Sequence, residues 1–117
     1  LEAQRIAEIV ALLKPRVAVP GEVIVQKGAP GNCMYFISSG QVQVNLADRP
    51  VFLQAGDFFG EIALIEHRSR TASVTTVTSC QLLILDEQDL EELMDADEVL
   101  AADIKRIAEE RRDELNG

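Results

Sequence analysis

Residues 58–73 read FFGEIALIEHRSRTAS, and Gly60-Glu61 stands nine residues ahead of Arg70 with a short apolar run between. A glycine opening one helical turn presents several backbone N–H groups without intrahelical acceptors, and such a nest attracts an anion. Arg70, returning from the far end of the loop, can hold the same anion with a planar fork of donors. Glu61 cannot share a phosphate with them, so it reads as an acceptor for neutral hydroxyls such as those of a ribose. An acid for a sugar, with an arginine and amides for a phosphate, describes a nucleotide site.

Outward from this stretch the chain is rich in turn signals. Apolar Ile6, Ile9, Val10 and Leu13 recur at helical spacing and stop at Lys14-Pro15, which predicts a helix over 1–14. From Arg16 the period changes to two. Val17/Val19, Val23/Val25, Met34/Phe36 and Val42/Val44/Leu46 alternate as the inward residues of half-buried strands. Pro20-Gly21, Gly28 to Gly31, Ser38 to Gly40, Asp48 to Pro50 and Gly56-Asp57 punctuate them, as in a β-sandwich or barrel of short strands. Residues 72–77 and 81–85 read as two further strands. Asp86 is placed as the N-cap of a helix, with Asp89 as its capping-box acid, and a last helix runs from about Asp97 to Leu115. The fold expected is α+β: an eight-stranded β-roll over 16–85, an N-terminal helix, a short helix inside 58–73, and two C-terminal helices over 86–115.

The residues Phe59-Gly60-Glu61-Ile62-Ala63-Leu64, followed by Arg70-Thr71-Ala72, resemble the phosphate-binding cassette of cyclic nucleotide-binding domains. The resemblance covers nearly the whole chain. It implies that Gly60, Glu61, Ile62, Ala63, Arg70 and Thr71 bind cyclic AMP or cyclic GMP, without a cofactor or metal. Thr71 would touch the phosphate and, in cyclic GMP-preferring members, the guanine amino group; as a plain strand residue a threonine is equally at home there. In this family the last helix closes over the base. Arg111 interrupts the apolar stripe Leu100, Ile104, Ile107 and Leu115 of that helix. In bacterial ligand-gated potassium channels of the family an arginine at this place contacts the base. Two readings of Arg111 stay open, a base contact or a side chain that snorkels to solvent. Ile62, Leu64 and Ile65 are expected against the last two helices, as a mechanical outlet for binding. Arg70 is expected to be partly solvated without ligand, so that its loss leaves stability little changed.

Composition bounds the alternatives. At 117 residues and 47% hydrophobic the chain is one globular domain, and its net charge of -9 argues against non-specific contact with nucleic acid or an anionic membrane. Cys33 and Cys80 lie far apart and read as buried thiols of a reducing cytoplasm. His67, the one histidine, cannot by itself supply the clustered ligands that a metal-dependent jelly roll needs. No nucleophile–base pair stands out, so a regulatory module is expected rather than an enzyme. The chain opens on Leu1, and the expectation is an excised fragment. Its partners would be the nucleotide and a covalently attached effector, a bacterial channel or transporter whose cytoplasmic part this is, with oligomers formed through the parent protein. The other effector considered is the helix-turn-helix of a catabolite-activator-type regulator.

Overall fold

The computed structural model describes residues 11–102 together with 106 and 110. Its centre is a sandwich of two four-stranded antiparallel sheets. The strands are β1 (Lys14–Ala18), β2 (Val23–Val25), β3 (Cys33–Ser39), β4 (Gln41–Asn45), β5 (Pro50–Gln54), β6 (Phe58–Phe59), β7 (Ser73–Thr76) and β8 (Cys80–Asp86). One sheet has the order β1-β8-β3-β6 and the other β2-β7-β4-β5. Helix α1 (Glu61–Ile65) lies between β6 and β7, and α2 (Glu87–Ala96) follows β8. Residues 98–102 begin a further helix. The Asp97 carboxylate accepts from the Leu100 N–H at 3.0 Å and so caps that helix where the sequence places its start.

Strands β3 and β8 are covered on both faces over most of their length, which explains their nearly unbroken apolar runs. Cys33, Tyr35 and Ile37 point into the sandwich with Val42, Val44, Val74 and Leu82. Met34 points the other way, into a second cluster with Leu64, Leu85, Leu90 and Leu93, and Phe36 and Phe58 pack against its edge. Alternation along a strand thus feeds two cores instead of one core and solvent.

Four expectations need correction. Of the helix predicted over 1–14, residues 1–10 lie outside the described residues, and its predicted end is too late, because Lys14 and Pro15 already pair with Ile84 and Leu83 in β1. Pro15 is tolerated because β1 is an edge strand. The inward face of β1 is also reversed. Ala18 is buried, whereas Val17 and Val19 are 76% and 62% exposed. Arg16 shares the Ala18 side of the strand, and its guanidinium is answered by Glu22 at 2.9 Å. In β2 a register shift between Val23 and Val25 breaks the alternation, so Val25 is buried and Val23 exposed. Finally, Asp86 occupies the N-cap position of α2 without a side-chain cap bond. Its carboxylate pairs instead with the Lys14 ammonium across the sheet, which raises the lysine above its ordinary pKa.

Tyr35, the chain's one tyrosine, stacks on Phe59 with ring centroids 5.0 Å apart. Burial, then the neighbouring Cys33 thiol, pushes its phenol up from 10.0 to about 12. A proton held more tightly in the folded state adds stability below pH 10, and this is lost as pH rises from 10 towards 12. Tyrosinate absorbance should therefore stay flat through pH 10 and rise only above it, together with loss of fold; a free-phenol titration centred at pH 10 in folded protein would refute the packing of this ring.

Candidate functional site

The cassette is built around one backbone feature. Gly60 adopts φ 90°, ψ -3° and serves as the N-cap of α1. The left-handed conformation turns the chain from β6 directly into the helix, where a side chain would be strained. The opening N–H groups of α1 have no intrahelical acceptor. Glu61 begins the helix and is 2% exposed, and Ile62, Ala63 and Leu64 after it are also buried.

Arg70 is the second anchor, and its setting differs from expectation. It is buried, at 7% exposure, rather than partly solvated. Its Nη1 donates to the Gly60 carbonyl at 2.8 Å and its Nη2 to the Cys33 carbonyl at 2.7 Å. Its main chain is held as well: the Arg70 N–H donates to the Ala29 carbonyl, and the Arg70 carbonyl accepts from Gly28, each at 2.9 Å. The guanidinium thus ties the start of α1 to β3 and leaves part of its five-donor fork for another acceptor. A buried cation needs such partners, and the reading of Arg70 as partly solvated without ligand overlooked them.

These residues line one cavity of about 230 Å³. Gly60, Glu61, Ile62, Ala63, Arg70 and Thr71 form one side of it. Thr71 itself is exposed. Ile62 faces this cavity, whereas Leu64 packs with Leu90, Leu93 and Leu100 and Ile65 borders the groove beside Leu90 and Met94. The expected contact of the cassette with the following helix thus runs through Leu64 and Ile65. Arg111, the lid residue proposed from sequence, lies outside the described residues.

The opposite wall escaped sequence reasoning. Val44, Val51, Leu53 and Val74 supply an apolar surface from β4, β5 and β7, and Arg49 stands beside them on the β4–β5 turn with its guanidinium on Asp48 at 2.8 Å. In sequence Asp48 to Pro50 signals only a turn. Gly31 was overlooked too: a Cβ there would come within 2.6 Å of the Ala63 Cβ and 3.1 Å of the Arg70 Cζ. The second glycine of the Gly28 to Gly31 loop thus lets that loop lie against the cassette.

With this geometry in view, the relatives can be compared. The family model for the cyclic nucleotide-binding domain matches residues 15–97. The chain belongs to the cyclic nucleotide-binding domain family. A cyclic nucleotide-gated potassium channel of Rhizobium etli is 42% identical over 112 residues, which cover 96% of this chain and 32% of the channel. A putative potassium channel protein of Rhodopseudomonas palustris is 39% identical, over 95% of this chain and 28% of its own length. The chain therefore spans about a third of the curated relatives it matches. Among solved structures, the Thermus thermophilus catabolite activator protein superposes with a TM-score of 0.86 at 24% identity, over 99% of this chain and 57% of that one. The regulatory domain of Toxoplasma gondii PKA, crystallised with cyclic AMP, gives 0.79 at 23% identity, over 97% of this chain and 44% of that one. These two likenesses establish the β-roll fold. No helix among the described residues is long and apolar enough to cross a membrane.

Proposed function

We propose that the cavity binds cyclic AMP or cyclic GMP, and that the domain passes the bound state to an attached effector. One observation carries the reading: a buried acid, a buried arginine and the opening turn of a helix line the same small cavity. The Gly60–Ala63 amides and Arg70 hold the cyclic phosphate, and Thr71 adds a hydroxyl at its edge. Glu61 accepts from the ribose. The apolar wall of β4, β5 and β7 shelters the base. Leu64 and Ile65 belong to the transmitting side, with Arg111 in the helix that the sequence predicts to close over the base; closure stabilises the complex by what it adds to the bound form.

The effector we favour is a potassium channel whose cytoplasmic part this domain forms, since channels of this kind match at 42% and 39% identity over nearly the whole chain. The catabolite-activator likeness extends to the fold at 24% identity. A regulatory domain, not an enzyme, fits both settings.

The sugar contact has a clean test. Glu61→Gln keeps the shape of a buried side chain and removes the charged acceptor, so affinity for the cyclic nucleotide should fall by about 1–3 kcal/mol. A 2′-deoxy cyclic nucleotide should bind the wild type more weakly than its ribose parent, yet lose far less against the variant. Equal losses in both proteins would mean that Glu61 does not hold the ribose.

A further inference from the structure

The turn after α1 and the first turns of α2 bring together three metal-type ligands that the nucleotide cavity does not use. His67 follows the cassette helix in a left-handed conformation (φ 51°), and its Nδ1 lies 3.8 Å from a Glu87 carboxylate oxygen. Glu91 stands four residues beyond Glu87, so both acids share one face of α2. One ligand atom from each of His67, Glu87 and Glu91 lies within 4.8 Å of the other two. In sequence these residues show no metal spacing, because the acids lie on a helix that reaches the histidine only after β7 and β8 intervene.

We propose that His67, Glu87 and Glu91 form a site for a zinc-type divalent cation that fastens the cassette turn to helix α2. An imidazole with two carboxylates suits zinc better than magnesium or calcium, which take oxygen ligands. Three protein ligands leave a fourth, tetrahedral position for water. Bonds of 2.0–2.2 Å place tetrahedral ligands about 3.3–3.6 Å apart, so the three groups must draw together by roughly 1 Å. Their exposure permits it: the His67 side chain is 71% accessible and that of Glu87 36%. The surrounding charge favours a cation. Asp95 borders the same groove, and Arg68, the nearest opposing charge in sequence, is answered by Glu66 at 3.5 Å. Leu64, Ile65, Leu90 and Met94 supply an apolar floor that strengthens charge interactions at the site.

The site is tested by calorimetric titration of zinc chloride into the nucleotide-free chain, with His67→Asn, Glu91→Gln and Glu92→Gln measured alongside. Asparagine suits the left-handed backbone at 67, and circular dichroism verifies that each variant is folded. The wild type and Glu92→Gln should bind one zinc per chain. His67→Asn and Glu91→Gln should bind at least as much more weakly as the roughly 10–100-fold cost of losing an outer-shell partner. Zinc should also slow amide exchange in 61–67 and 87–91 together, as a bridge requires. No saturable zinc binding, equal affinity in all four proteins, or protection of only one segment would overturn the proposal. Since nucleotide is absent throughout, the outcome stands apart from that of the nucleotide reading.

Discussion

Arg70→Ala is expected to weaken cyclic nucleotide binding by about 2–5 kcal/mol, the range for truncating one partner of a buried, hydrogen-bonded charge pair. At 1.4 kcal/mol per decade this is roughly a thirty-fold to several-thousand-fold rise in Kd. The location of the side chain adds a second effect. Its guanidinium donates to the Gly60 and Cys33 carbonyls, and its removal leaves a buried acceptor at Cys33 and a part-buried one at Gly60 to find water or go unpaired. Each such loss costs about 1–3 kcal/mol, so the ligand-free variant should also unfold at a lower urea concentration than the wild type. The cassette turn, which Arg70 ties to β3, should be the first segment to gain exchange. Binding must accordingly be measured where circular dichroism shows the variant folded. Cyclic nucleotide affinity equal to the wild type would remove Arg70 from the phosphate site; an unchanged urea midpoint would mean that its carbonyl contacts contribute nothing net.

Gly40→Ala should be the most destabilising single methyl in the β-roll. Gly40 links β3 of one sheet to β4 of the other at φ +98°, and a Cβ there would come within 2.4 Å of the Ser79 carbonyl oxygen and 2.9 Å of the Cys80 Cα. Those are backbone atoms of Ser79, at the end of the β7–β8 connection, and of the first residue of β8, and they cannot rotate away. Backbone strain of about 1–3 kcal/mol and overpacking of about 1–3 kcal/mol point the same way, for a total of roughly 2–6 kcal/mol. Gly56→Ala separates the two causes. Gly56 has nearly the same φ, +95°, but open space around its Cβ, so it should lose only the backbone part. Equal urea midpoints for the two variants would show that the close approach at Gly40 is relieved without cost.

What the sequence could show depended on whether a signal was local. Gly60, Glu61 and Arg70 were legible as a candidate site because a predicted anion nest and an arginine lie within one short stretch. The strand pattern was legible wherever apolar residues alternate beside a turn, as in β4 with Val42 and Val44 inward. It misled at β1, where the small Ala18 faces the core and the larger Val17 faces solvent; periodicity weighs side-chain size, while burial at an edge strand is set by pairing with β8. Nor could it show that Asp86 would be drawn from its helix cap to Lys14, a partner 72 residues away. The apolar wall of the cavity, Arg49 on its rim and the close approach of Gly31 all arise when distant strands converge. No short motif encodes them. The burial of Arg70 belongs with these, since its acceptors Gly60 and Cys33 come from different strands' ends.

Calorimetric titration of the folded chain with cyclic AMP and with cyclic GMP bears most directly on the central claim. Saturable binding of at least one of them, at one nucleotide per chain and abolished or strongly weakened by Arg70→Ala, is the predicted result. A folded chain that binds neither nucleotide at millimolar concentration, or binds both equally well without Arg70, would contradict it.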